Sequence, residues 1–259
     1  MSIHHMVDAW AYALASVGLV SLVSFAGAFT LYLNQMRVHR MLLYLVSFST
    51  GSLLGDAFIH LLPETVEVQG FGLEVSLYVL LGILVSFVIE KFIHWQHCHV
   101  LPSKNHTHPL AFLNLFGDAV HNFIDGLIIA ASYLVSIPLG IATTLAVVFH
   151  EIPQEIGDFG VLLHGGFKPS RALLFNFLTA LTAIAGALVA LALGTASEAI
   201  PLFLVPFAAG NFIYIAGADL IPELHKQVQP VESVLQVLAL LAGIGVMVGA
   251  GIYALIGAA

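Results

Sequence analysis

Long apolar runs, interrupted by short polar or Gly/Pro-containing breaks, occupy nearly all of this chain. A helix needs roughly 20 apolar residues to cross the hydrocarbon core of a bilayer. Runs of that length predict spans at about 9–34, 41–62, 73–94, 109–135, 138–164, 171–195, 200–221 and 231–257. Strands of a membrane barrel would alternate and be about half as long, which excludes that class. The expected fold is all-α and integral to a membrane, with eight transmembrane helices forming one domain over residues 1–259. Composition agrees: 59% of the residues are hydrophobic and 8% charged, against about 25% charged in a soluble domain.

The polar breaks give an orientation. Arg37 and Arg40 fall between spans 1 and 2, Lys91 and Lys104 flank the 3–4 loop, Lys168 and Arg171 separate spans 5 and 6, and Lys226 separates 7 and 8. All lie on one face, which the positive-inside bias makes cytoplasmic, leaving both termini extracytoplasmic. An outer boundary membrane, plasma or inner, is the expected location. So few basic residues exclude nucleic acid as a partner, and a single cysteine, Cys98, excludes a disulfide framework. The opening "MSIHHMVDAW" lacks the basic start of a cleaved signal peptide. Span 2 ends "HLLPE" (60–64) and span 7 ends "DLIPE" (219–223). Spans 1–3 and 6–8 would then be inverted copies around spans 4 and 5, as in many secondary transporters.

Candidate chemistry concentrates in spans 4 and 5. Span 4 carries "DAVHNFIDG" (118–126), and span 5 carries "HEIPQEIGDF" (150–159). On helices, His121 and Asp125 share a face with Asp118 and Asn122 beside them; Glu151, Glu155 and Asp158 form a stripe, and His150 pairs with Gln154. Measured from the turn near Ser136 at 1.5 Å per residue, Asp125 lies roughly 15 Å deep and His150 roughly 18 Å. His121 and Gln154 lie at about 20–25 Å, so both clusters reach the middle of a core about 30 Å thick. No Lys or Arg occurs from Asn105 to Phe167. Each central carboxylate costs about 2.5–3.5 kcal/mol to insert, so a cation or protons must compensate. A divalent metal does so through a mixed N/O ligand shell. Pro153 frees a helix carbonyl inside this region, while Gly126 and Gly157 are expected to permit close helix approach.

These stretches resemble the ZIP (Zrt/Irt-like) family of divalent metal transporters. "HNFIDG" (121–126) resembles its span-4 motif and "HEIPQEIGDF" its span-5 motif, while "GDAFIHLLPE" (55–64) and "AGADLIPEL" (216–224) look like its span-2 and span-7 signatures. The resemblance implies inward transport of zinc, or of iron, manganese or cadmium, by alternating access through a binuclear midplane site. Zn2+ would be the cargo, with no organic cofactor and no enzymatic activity. One metal would be held by His121, Asp125, His150 and Gln154, the second by Asn122, Glu151 and Asp125. Spans 1, 4, 5 and 6 would move against 2, 3, 7 and 8, within a homodimer. Gln154 stands where the family pattern has His, which places a harder ligand there.

Other residues fall along the expected pathway. Asp56 and His60 in outer span 2 are candidates for entry, Asp219 and Glu223 in inner span 7 for release, and Asn176 for the second metal. The loop "HWQHCHVLPSKNHTH" carries His94, His97, Cys98, His99, His106 and His108, suited to capturing metal on the cytoplasmic side. Two alternatives use the same residues. An intramembrane metalloprotease would need H-E-x-x-H, but the second His is Gln154 and Pro153 disturbs the turn. A metal-free, proton-coupled carrier would instead neutralise the carboxylates with protons.

Overall fold

Each apolar run is helical in the structure, a computed structural model that describes residues 3–32, 35–95, 109–197 and 199–257. Helix α1 (Ile3–Val23) continues as a 3-10 stretch, Ser24–Tyr32. Helix α2 (Gln35–Gly55) widens into a π-helical turn, Asp56–Leu61, and resumes as α3 (Leu62–Gln69). Next come α4 (Leu73–Trp95), α5 (Pro109–Val135), α6 (Ile137–His164), α7 (Pro169–Ala180) and α8 (Thr182–Ala196). Helix α9 (Ala199–Tyr214) passes through a second π-helical turn, Ile215–Leu220, into α10 (Ile221–His225); α11 (Pro230–Gly257) follows. No strand occurs among the described residues.

Six stretches are long and apolar enough to cross a membrane: Met6–Leu31, Met41–Gln69, Leu73–Lys91, Pro169–Ala196, Ala199–His225 and Pro230–Ile252. Helices α5 and α6, 27 and 28 residues long, have the length but carry the acidic and amide side chains of the site. Ser136 alone separates them. Its hydroxyl caps α6 by accepting the Leu139 N–H at 3.3 Å, and Pro138 occupies the first turn, where its missing N–H costs nothing. Helix α5 packs against α1, α6, α7, α8 and α9, and α6 against α1, α2, α5 and α7, so the pair is surrounded by the rest of the bundle.

Small residues set the closest crossings. A Cβ on Gly126 of α5 would lie 1.9 Å from the Ala183 carbonyl oxygen, and one on Gly186 of α8 would lie 2.0 Å from that of Phe123. The same reciprocal arrangement joins α2 to α11, through Gly51 against Leu240 and Gly243 against Phe48. It recurs between α4 and α9, through Gly82 against Phe207 and Gly210 against Val79. With backbones in contact, packing rather than a hydrophobic drive holds helices together in lipid. Gly157 corrects the expectation from sequence: it is exposed and a Cβ there would meet nothing within 4 Å, so it serves no helix contact in this chain.

Both π turns end on an N–H bonded five residues back, Leu62 to Ala57 and Ile221 to Ala216. Each is followed immediately by proline in the first turn of the next helix, Pro63 or Pro222. Proline has no N–H and its ring crowds the carbonyl four residues back, and a wide turn relieves that conflict.

Candidate metal centre

The Ser136 turn folds α5 and α6 into antiparallel neighbours, bringing His121 and Asp125 opposite His150 and Glu151. The two imidazole Nε2 atoms are 3.1 Å apart. Asp125 Oδ2 lies 3.5 Å from His121 Nε2 and 3.0 Å from His150 Nε2. Glu151 Oε1 lies 3.2 and 3.4 Å from the same two atoms. Ligand atoms arranged tetrahedrally around zinc at about 2.0–2.1 Å are separated by about 3.3–3.4 Å. The five measured separations, from 3.0 to 3.5 Å, match the edge length of a zinc tetrahedron, and all four ligand atoms lie within 4.8 Å of one another.

The proton inventory points the same way. His150 Nδ1 donates to the Ala146 carbonyl at 3.2 Å, the contact that, in the neutral imidazole, leaves Nε2 to act as a ligand. Two N–H groups cannot face one another across 3.1 Å, so at most one proton fits between the rings. Asp125 and Glu151 are fully buried, and among the described residues their ion-pair partners are these two imidazoles.

A second set of acceptors lies toward the α7 side. Asn122 donates to Asp118 Oδ1 at 2.8 Å, which leaves Asn122 Oδ1 buried without a donor. Both carboxylate oxygens of Glu155 and the Oδ1 of Asn176 are likewise buried without a donor, and Asn176 Nδ2 donates to the Glu155 carbonyl at 3.1 Å. Buried acceptors are nearly always paired. This group lacks donors, which is what a bound cation would remedy.

The other sequence candidates are placed as follows. Gln154 sits beside Asp118 and lines a cavity of about 300 Å³ with Asp118, His121, Asp158 and Asp219. It also lines a smaller cavity with His150 and Pro153. Asp158 accepts from Asn114 at 2.9 Å. Asp56 is fully buried and bonded to His60 Nδ1 at 3.0 Å, with the Thr143 hydroxyl beside its carboxylate. Glu223 is exposed and paired with Lys226. His94 falls in the last turn of α4; His97, Cys98, His99, His106 and His108 lie outside the described residues. Sequence reasoning missed Asn114, Thr179, which donates to Asp118 Oδ2, and the polar wall formed by Ser86, Glu90, Asn211 and Tyr214. Their signal was present as isolated amides and hydroxyls inside apolar runs, but no motif frames them.

Comparison with known proteins places the chain in a family. The family described as ZIP Zinc transporter matches residues 7–109 and 96–251. The zinc transporter SLC39A7 of Rattus norvegicus is 33% identical over 95% of this chain and 73% of its own length. The zinc transporter ZIP13 of Pongo abelii is 34% identical over 93% of this chain and 78% of its own. The zinc transporter zipt-7.1 of Caenorhabditis briggsae is 31% identical over 78% and 69%. The chain belongs to the ZIP zinc transporter family.

Proposed function

We propose that this protein carries zinc, or a related divalent metal ion, across a membrane through the centre between α5 and α6. The observation that carries the reading is the convergence of two imidazole nitrogens and two buried carboxylate oxygens with zinc-sized spacing. His121, Asp125, His150 and Glu151 form the first ligand set, with Gln154 joining from the adjoining cavity wall. Asn122, Glu155 and Asn176, with the second oxygens of Asp125 and Glu151, suit a second ion. Imidazole and carboxylate ligands bind a dehydrated ion well and remain exchangeable.

The structural frame of the proposal is eight spans in one transmembrane domain, α5 and α6 supplying the two central ones. Both termini lie outside a plasma or inner membrane and net flux runs into the cytoplasm. An inverted repeat of spans 1–3 and 6–8 is supported by one fixed shift along the chain. That shift lays Asp56–Leu61 on Ile215–Leu220, Ala57 on Ala216, Pro63 on Pro222, Gly51 on Gly210 and Phe48 on Phe207. Alternating access then moves α1 and α5–α8 against α2–α4 and α9–α11, within a homodimer. The 300 Å³ cavity leads from His121 to Glu90, Asp158 and Asp219 at the inner end, while on the outer side Asp56 is buried and His60, beside it, half-buried. This is an inward-facing arrangement. Asp219 and Glu223 would release the ion, and the histidine-rich sequence from His94 to His108 would capture it.

Purified protein should retain about one or more zinc ions, and proteoliposomes should accumulate radioactive zinc. His150→Ala should cut both by about 10- to 100-fold, the scale of a lost metal ligand. A protein that takes up no divalent ion, or a His150→Ala variant that transports and binds as before, would return the case to a proton-neutralised carrier. Peptide cleavage lost in Glu151→Gln would instead point to the metalloprotease.

A further inference from the structure

A cleft of about 330 Å³ lies between α2, α6 and α10, and it shares no lining residue with the cavity that leads to Asp219. Its walls are Leu42, Leu43 and Val46 of α2, Pro153 of α6 and Leu224 of α10. Val46 and Pro153 also line a smaller cavity of about 160 Å³ that reaches His150. Along this route no ionisable side chain lies between His150 and Glu223. A metal ion stripped of water would find no charged ligand there, and the desolvation cost closes the route to ions. Apolar cavities do not hold water either. Hydrocarbon is what such walls accept.

The exposed end of the cleft is unlike its walls. Glu223 and Lys226 line it, paired with each other at 57% and 69% exposure. An ion pair this exposed is worth about 0–1 kcal/mol, so exchanging partners costs little. A carboxylate and an ammonium above apolar walls match an amphiphile that carries both charges on one headgroup. A phosphate would meet Lys226, and a primary ammonium would donate to Glu223. An anionic headgroup would instead bring a second negative charge to Glu223, and a trimethylated ammonium has no N–H to donate.

We propose that an ethanolamine phospholipid of the inner leaflet inserts one acyl chain into this cleft, with its headgroup on Glu223 and Lys226. Lys226 lies on the face that carries every Lys and Arg of the chain, which puts the pair at the level of the inner headgroups. Helix α6 belongs to one moving block, α2 and α10 to the other. A chain lodged between them holds the inner side apart and slows the return to the outward state. This effect on turnover rests on the transport reading above.

Full-length protein in phosphatidylcholine nanodiscs is doped with a phosphatidylethanolamine whose tail carries a diazirine, irradiated, and mapped by mass spectrometry. Label is expected on Val46 and Pro153 in the cleft as well as on exposed apolar residues such as Leu77 and Leu84 of α4. Lys226→Gln should lower the cleft label about two- to fivefold, the scale of one exposed charge pair. Val46→Phe, which fills the neck, should abolish it, while label on α4 stays the same in both variants. In proteoliposomes, replacing phosphatidylcholine by phosphatidylethanolamine should slow zinc uptake by the native protein and not by Val46→Phe, with zinc content equal throughout. No label in the cleft, equal labelling by a choline-headed probe, label indifferent to both variants, or the same lipid response in native protein and Val46→Phe would each overturn the proposal. Cleft label with the expected pattern in a protein that takes up no divalent ion would keep the lipid site and overturn the transport reading instead.

Discussion

The two π-helical turns share a backbone and differ in surroundings. Each spans six residues, closes on an alanine carbonyl and precedes a proline. In the first, Asp56 is fully buried and tied to His60. In the second, Asp219, at the position matching His60, is half-buried on the wall of the inner cavity. One device is thus packed against neighbouring helices at one end of the proposed pathway and borders the inner cavity at the other. The difference cannot come from the turns, whose hydrogen bonding is alike. It comes from what packs on them: the α6 residue Thr143 and the α11 residue Gly251 close over the first, while the second borders empty volume. A carrier that alternates would exchange these two environments.

The largest effects should come from breaking the frame that relates the two turns. A methyl group on Gly51 or Gly210 would lie 2.0 Å from a backbone oxygen, which no side-chain adjustment can relieve. Overpacking a core typically costs about 1–3 kcal/mol, and contact with backbone should reach or exceed the top of that range. Gly51→Ala and Gly210→Ala should each lower the melting temperature strongly and to a similar extent, whereas Gly157→Ala should leave it unchanged. Unequal losses at the two matched glycines would break the equivalence. Next comes access. In a Cys98→Ser background, Asp219→Cys should react with a water-soluble maleimide at least about tenfold faster than His60→Cys, since one borders the cavity and the other is packed away. Conditions that favour the outward state should reverse the ratio; equal rates would show that neither end is sealed.

Much of this was legible from hydrophobic runs. The run at 109–135 coincides with α5, because Pro109 starts the helix and Ser136 with Pro138 restarts the chain as α6. The pairing of His121 with Asp125, and their meeting with His150, also followed from spacing four apart on antiparallel neighbours. Other features were not legible, for identifiable reasons. Which set Glu151 joins depends on its rotamer, not on its position in the motif; the structure brings Oε1 within 3.4 Å of both histidines. Gly126 and Gly157 look alike in sequence, but only the first faces another helix. Asp56 stood in the sequence only as a candidate for entry; its complete burial at the start of a π turn was not legible there. A single extra residue in a turn leaves no trace in hydrophobic periodicity.

That extra residue supplies the smallest and most discriminating effect. If the wide turns exist to relieve proline, Pro63→Ala and Pro222→Ala should let the helix tighten, since an N–H becomes available to the carbonyl four residues back. Tightening from a π to an α turn removes one residue from the turn and rotates what precedes it by about 100°. His60 or Asp219 would then leave its present face, and in Pro63→Ala the Asp56–His60 bond would be lost. Stability should therefore fall by about 1 kcal/mol in that variant, the worth of one hydrogen bond, and zinc uptake should fall only a few-fold, on the order of threefold. The two variants should differ in kind. Pro63→Ala acts on the entry side and should raise the apparent KM for external zinc; Pro222→Ala acts on the release side and should lower the maximal rate with KM little changed. If both variants shift the same parameter, the turns do not serve opposite ends of the pathway. Their shared geometry would then be only an answer to proline.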